Sequence, residues 1–502
     1  MAITNKKRIA EFGDFQTPPA LAADVCELLK ASGVRPASVV EPTCGIGNFL
    51  IAALKVFPAA DRVIGVDINS QYVATARSRI AELADPQKVE LHCGSFFAAE
   101  WDTLASLAEP ILAVGNPPWV TNAHLSSLGS NNLPTKSNFQ NHAGFDAIAG
   151  KSNFDISEWM LIHLLEQLQQ RRATIAMLCK TAVARKVLNH AWKNGLRVEN
   201  ASVRLIDASE HFRAAVDACL LVCHSGGIST SHDCRVFDTL QSQRPTHTFG
   251  YRDGQIVADV DAYEAWKHLQ GKEQYRWRSG IKHDCAAVME LRRLGSQWTN
   301  GLGQRVTLEP DYLYPMLKSS DIANGSTETT ERYMLVPQLT TGTDTTQIKN
   351  KAPMTWAYLH EHGDLLDRRG SSIYKKRGRF SIFGVGSYSF MPWKVVISGF
   401  YKSLNFRQVG PIDGKPTVLD DTCNFIACRS SAEAELMTLL LNSPQVSDFF
   451  RALIFWDAKR PLTVDLLRKL DLRKVAESAG RVADFDRFVG TEPEADTLFA
   501  NA

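Results

Sequence analysis

Asn116-Pro117-Pro118-Trp119 closes the apolar run Ile111–Gly115 and holds residue types that could do chemistry together. At ordinary proline frequencies an Asn-Pro-Pro-aromatic string arises by chance on the order of once in a few hundred chains of this size. The two prolines have fixed φ and no N–H, so the string is stiff and its carbonyls face outward. The Asn116 side-chain oxygen and the Pro117 carbonyl then make a pair of converging acceptors. Such a pair suits both hydrogens of an exocyclic amino group and draws electron density toward its nitrogen. Trp119 adds a π face on which a planar base can stack, worth about 1–3 kcal/mol. The plainer alternative is a rigid turn ending a core strand, with Trp119 packed inside.

A second string, Glu41-Pro42-Thr43-Cys44-Gly45-Ile46-Gly47, lies between strand-like Ser38–Val40 and helical Phe49–Phe57. Gly45 and Gly47 allow a tight turn and close approach to a ligand at the positive end of a helix. About 20 residues on, RVIGVD ends in Asp67, the acidic position that takes ribose hydroxyls in doubly wound folds. Leu50 stands where a dinucleotide fingerprint has its third glycine. That argues against NAD or FAD and leaves another adenosine-containing ligand, with an ordinary turn as the alternative.

The elements around these strings alternate. Arg62–Asp67, Val89–Cys93, Ile111–Gly115 and Thr174–Cys179 read as buried strands, with helices at Gln71–Leu83 and Ile156–Leu168. Arg204–Asp207 and Ala218–Val222 look like a closing pair. Strand–helix alternation predicts βαβ units and a parallel sheet ending near residue 235. From about Leu240 turn residues thicken and strands shorten, which predicts a separate α+β region with long loops.

Composition narrows the class. The chain has 502 residues, 22% charged and 44% hydrophobic, enough for two or three domains and unlike collagenous or disordered sequences. Lys+Arg 56 against Asp+Glu 54 gives a net charge of only +2, so any nucleic-acid affinity must come from local clustering. The ten cysteines are scattered, which suits reduced thiols in a cytoplasmic protein. The N-terminus MAITNKKRIAEFGDF lacks an apolar h-region, and no apolar run is long enough to span a bilayer, so no membrane association is expected.

The order of motifs resembles the gamma group of DNA amino-methyltransferases, the TaqI-like adenine-N6 enzymes. It runs Phe15-Gln16-Thr17-Pro18, Glu41–Leu50, Asp67, Cys93–Phe97 and Asn116–Trp119, with a recognition region following. The likeness is specific over residues 12–225 and looser beyond. It implies an α/β class I methyltransferase fold, a doubly wound mostly parallel sheet over residues 1–235, and an α+β target-recognition domain over 236–502. The implied cofactor is S-adenosyl-L-methionine. Thr17 and Pro18 would meet its methionine end, and the loop bearing Glu41, Thr43, Gly45 and Gly47 would wrap it. Asp67 and Ile68 would flank its ribose, and Phe96 would lie against its adenine. Ser95 departs from the family's Asp, which holds the cofactor amino group; a neutral hydroxyl accepts a weaker hydrogen bond, so some affinity is lost.

The resemblance also implies double-stranded DNA as partner and a target base extruded from the helix. Phe212 would then face Trp119 across that base, with a plain core Phe as the alternative. Asn at the first motif position favours adenine N6 in the family, and transfer is direct, so Cys44, Cys93 and Cys179 have no nucleophilic role. The expected setting is restriction–modification or phage defence, any endonuclease being a separate protein or absent.

In the second half, Arg368–Gly410 holds nine Lys or Arg and no Asp or Glu. Lys375, Lys376, Arg377 and Arg379 are its densest part and the expected phosphate contacts. Its aromatics read as strand core. No metal is expected: Cys219-x3-Cys223-His224 with His232-x-Cys234 has the wrong spacing for a zinc knuckle. Asp311 with Asp413-x-Lys415 or Asp457-x-Lys459 mimics a nuclease triad only as scattered matches do. Two rival readings remain, a methyltransferase acting on an RNA base or protein glutamine, and an inactive DNA-binding module supported by Ser95 alone.

Overall fold

The computed structural model describes residues 16–83, 85–96, 106–120, 155–227, 230–295 and 297–489. Phe15, Phe97 and the side chain of Lys376 lie outside the described residues. The chain divides into two compact units, Met1–Val260 and Asp261–Ala502.

The first unit is built on one ten-stranded sheet. Its strands are β1 (Ser38–Glu41), β2 (Arg62–Asp67), β3 (Val89–Cys93), β4 (Ile111–Gly115), β5 (Ala173–Lys180), β6 (Glu199–Ile206), β7 (Ala218–Ser225), β8 (Asp233–Phe237), β9 (His247–Arg252) and β10 (Gln255–Val257). Their spatial order is β10-β9-β8-β6-β7-β5-β4-β1-β2-β3. From β3 to β5 every pairing is parallel, and β7 enters antiparallel between β5 and β6. The interleaved helices include α1 (Pro19–Ala31), α2 (Asn48–Val56), α3 (Ser70–Ala81), α4 (Ile156–Leu168) and α5 (Thr181–Lys193). This is the expected doubly wound sheet. All five residues of β4 are buried, as a central strand covered on both faces requires.

The unit runs to Val260, past the boundary expected near 235. β8 pairs parallel with β6 and then carries β9 and β10 onto the same sheet. The turn between β9 and β10 is Asp253-Gly254, both at positive φ, the two-residue geometry that continues a twisted ribbon. That Asp-Gly pair is a hairpin signal, and grouping it with the surrounding loop residues hid the last three strands.

The second unit is α+β. One sheet has four strands, β11 (Arg278–Ser279), β20 (Cys423–Cys428), β17 (Trp393–Ser398) and β18 (Arg407–Val409), in that order. The other has six, in the order β14 (Arg305–Val306), β13 (Gln297–Asn300), β12 (Glu290–Leu294), β16 (Arg332–Leu335), β15 (Leu313–Leu317) and β19 (Val418–Leu419). Helices α6 (Ser431–Leu441) and α7 (Pro444–Leu453) follow the last strand. A hydrophobic cluster centred on Val288, Leu291, Met334 and Leu359 closes the unit's own core.

Two members of the basic segment belong to this interior. Arg369 is 5% exposed and donates to the carbonyls of Leu366, His283, Ser381 and Arg379. Lys394, on β17, is 1% exposed with its Nζ 2.6 Å from the Met391 carbonyl. Burial pulls the Lys394 pKa down to about 7. An unfolded lysine keeps its proton up to about pH 10.4, so between those values the unfolded chain binds more protons and stability rises with pH. Thermal melting from pH 7 to 9 should show this rise, and Lys394→Met should flatten it and lift the neutral-pH melting temperature by roughly a few degrees. An unchanged pH dependence in the variant would assign the effect elsewhere.

Candidate active site

The sheet reverses its strand order at β1: β2 and β3 lie on one side, β4 and β5 on the other. In open α/β sheets the crevice outside the carboxyl ends at such a reversal receives ligands. Both sequence strings fall there, the glycine loop after β1 and the tetrapeptide after β4.

The glycine loop needs its glycines. Gly45 (φ +50) and Gly47 (φ +82) sit in the left-handed region, and a Cβ on Gly45 would lie 2.7 Å from the Gln16 side chain. Asp67 holds the loop: its carboxylate accepts from the Gly45 N–H at 2.8 Å and from the Asn69 N–H at 2.8 Å. The start of the chain joins the same place, because Asn48 Nδ2 donates to the Thr17 carbonyl at 2.7 Å and Pro18 leads into α1. Gly47 caps α2 with no side-chain hydrogen bond, and the first-turn amide of Leu50 bonds the Glu41 carboxylate. Ile68, beside Asp67, is 44% exposed, an apolar side chain open at the crevice. Ser95 follows β3, whose Cys93 is in register with Asp67. Phe96 differs from expectation. It is buried and meets Trp159 and His163 of α4 edge-on, at 6.0 and 5.9 Å.

Glu41 is buried under this loop, and one of its oxygens has no hydrogen-bond partner among the described residues. Burial first, and the charge of Asp67 second, raise its pKa well above the ordinary carboxylate range, partly offset by the Leu50 amide. A buried acid with a spare oxygen calls for a cationic donor. S-adenosylmethionine carries both an ammonium and a sulfonium and fits this donor set, with Asp67 and Ile68 at the rim.

The tetrapeptide is fixed by side chains from neighbouring strands. Thr43 Oγ1 donates to the Asn116 carbonyl at 3.3 Å, tying the two strings together. Trp119 Nε1 donates to the Leu178 carbonyl of β5 at 3.3 Å. Lys180, the last residue of β5, donates to the Trp119 carbonyl at 3.0 Å and to Asp155 at 2.6 Å. Asp155 is 7% exposed and also caps α4 through the Ser157 N–H. The Ile156 N–H then bonds the Val120 carbonyl.

Lys180, Asp155, Trp159 and His163 were absent from the expected site. The available signal was a lysine and an aspartate, each at the crevice-facing end of an otherwise apolar element. Trp119 and Phe212 do meet, ring centroids 5.0 Å apart, but edge to face at 69° and both buried in one hydrophobic cluster. Parallel walls with a gap for a base are therefore not what this pair forms.

The basic segment also resolves. Arg379 is spent on Asp367, at 3.0 and 2.7 Å, with Asp364 at 3.5 Å. Both acids lie just before the acid-free window, which is why the sequence count missed them. Lys375 and Arg377 are exposed, on and after a short turn at Tyr374–Lys376. Of the nine aromatics in the segment, Tyr374, Phe380 and Phe406 are buried, five are half-buried and Tyr401 is exposed, and the three buried ones lie outside the strands rather than forming the strand core expected. Cys219 and Cys223 lie within β7, and no group of three or more potential metal ligands occurs among the described residues. Among them, too, no helix is long and apolar enough to cross a membrane.

Two outcomes follow. Glu41→Gln should stabilise the ligand-free chain, increasingly so as pH rises above about 4.3, where an unfolded Glu ionises and the buried one resists. It should also weaken S-adenosylmethionine binding, measurable by calorimetry; unaltered affinity would remove Glu41 from the cofactor site. Lys180→Met should leave Asp155 unpaired and cost about 1–3 kcal/mol of stability. Adding Asp155→Asn should restore the melting temperature, while kcat stays depressed by roughly 10- to 100-fold with KM little changed. Full recovery of kcat in the double variant would make the contact merely structural.

No protein-family model matches the chain. The Type II methyltransferase M.NspV of Nostoc sp. (strain ATCC 29411 / PCC 7524) is 45% identical over 474 residues, 94% of this chain and 98% of that protein. The Type II methyltransferase M.CvrRI of Paramecium bursaria Chlorella virus XZ-6E is 36% identical over 118 residues, 23% of this chain and 27% of that one. Among solved structures, the Type IIL restriction-modification enzyme MmeI, in complex with DNA, superposes with a TM-score of 0.55. That match covers 94% of this chain and 68% of that one at 12% identity, a likeness of fold. With an alignment to M.NspV that runs almost end to end in both proteins, this chain belongs to the Type II methyltransferases, S-adenosylmethionine-dependent DNA methyltransferases of restriction–modification systems.

Proposed function

We propose that the chain methylates the N6 amino group of adenine in duplex DNA, acting on a base extruded from the helix. The observation that carries this reading is the convergence of the tetrapeptide and the glycine loop at one strand-order reversal, joined by the bond from Thr43 to the Asn116 carbonyl. S-adenosylmethionine, when bound, supplies a methyl group activated on sulfur. The protein's part is positioning and electrostatics. The Asn116 side-chain oxygen and the Pro117 carbonyl accept the two amino hydrogens and turn the nitrogen lone pair toward the methyl. Asn at this position favours adenine in the gamma group that the chain resembles.

Extruding a base costs a few kcal/mol, and stacking against Trp119 offsets part of that. A base seated between Trp119 and Phe212 must first displace their edge-to-face contact. The exposed Lys375 and Arg377 are available to phosphates, whereas Arg379 reaches them only by giving up Asp367.

A tritiated-methyl transfer assay offered duplex DNA, RNA and protein tests the substrate class. Label recovered from DNA as N6-methyladenine supports the reading; label confined to RNA or protein, or recovered as N4-methylcytosine, overturns it. Asn116→Ala should abolish transfer while largely sparing cofactor binding, and a near-normal rate would remove the tetrapeptide from the chemistry.

A further inference from the structure

The second unit holds a cleft of about 710 Å³ that no role described above uses. One wall is the segment leading into β18, residues 402–407; the other is α7, with Trp456 beyond it. Packing makes both walls firm. Phe406 is 2% exposed and contacts Trp277 and Phe450, with centroids 5.9 and 6.3 Å apart. Asn442 clamps its backbone from both sides, accepting from the Phe406 N–H at 3.0 Å and donating to its carbonyl at 2.9 Å. Helix α7 buries Val446, Phe449, Phe450 and Leu453, which leaves Ser447 and Arg451, one turn apart, on the cleft side.

The lining is cationic. Lys402, Arg407 and Arg451 contribute to it, and no Asp or Glu does. All three are exposed, and the nearest ion pair, Arg451 with Asp448, is 3.9 Å long and open to solvent. A screened pair of that kind is worth little and is readily exchanged. Trp456 is half-buried and supplies an aromatic surface in the same cleft. Several cations spread over an open cleft with one aromatic do not match a single small anion. They match a chain of phosphates with bases attached.

We propose that this cleft binds the phosphodiester backbone of the substrate DNA. Of the segment's cations, Lys402 and Arg407 line the cleft and Arg368, Lys375 and Arg377 are exposed elsewhere, whereas Arg369 and Lys394 are internal and Arg379 is bridged. The proposal rests on the DNA-methyltransferase reading and adds the place of contact.

The test uses the full chain and sheared genomic duplex DNA, titrated by fluorescence anisotropy over a range of salt. Lys402→Gln with Arg451→Gln should weaken binding roughly tenfold or more near 0.1 M salt. It should also make the slope of log K against log salt shallower by about 0.9 per lost phosphate contact, about 1.8 for the pair. Lys349→Gln with Lys351→Gln removes the same charge from an exposed helix elsewhere in the unit and should leave the slope alone. Both pairs are exposed, so melting temperatures should match the parent. If the parent methylates duplex DNA but the two double variants bind it alike, the cleft assignment is overturned and the methyltransferase reading stands. If the parent neither binds nor methylates duplex DNA, both fall together.

Discussion

A peptide with two consecutive prolines can donate few backbone hydrogen bonds, so its neighbours must hold it in place. That constraint organises the crevice. The carbonyl of Asn116 is taken by Thr43 from the glycine loop, and the carbonyl of Trp119 by Lys180 from the end of β5. The indole N–H bonds β5 as well. Three strand ends thus converge on four residues, and each strand is itself pinned by parallel pairing in the centre of the sheet. Stiffness from proline and anchorage from the sheet together give what a reaction without a covalent intermediate needs, which is a fixed geometry before the substrate arrives.

The crevice departs from what would stabilise the fold most. Glu41 is held beside Asp67 with an oxygen unsatisfied, and Gly47 starts a helix without a side-chain cap. Each would be corrected in a protein shaped for stability alone. Their shared location, under and after the glycine loop, accounts for them as a site prepared for a cationic, adenosine-bearing molecule. The same contrast separates Glu41 from Asp155. Both are buried acids, but Asp155 is fully engaged by Lys180 and the first turn of α4, and so serves the scaffold.

Much of this is legible in the amino-acid sequence. β2 and β4 coincide with the expected runs because interior strands are apolar stretches bounded by turns, whereas β3 has the expected bounds but is the edge strand of the sheet and partly exposed, not the buried strand expected. The glycine loop and tetrapeptide were found because their residue types are rare in that order. Three features were not legible, for physical reasons. The β8–β10 extension depends on an Asp-Gly turn whose flanking strands are short and half exposed. The partnership of Lys180 with Asp155 joins two residues that adjoin only in the folded sheet. The loss of Arg369, Arg379 and Lys394 from the basic surface follows from burial and from acids outside the counted window, and charge counting along a chain registers neither.

Among the described residues, the first unit has a hydrophobic cluster around Val39, Leu112 and Leu178, and the second has one around Leu291, Met334 and Leu359. Side chains on the surface of the second unit can therefore be exchanged without loosening the strand ends that carry the tetrapeptide.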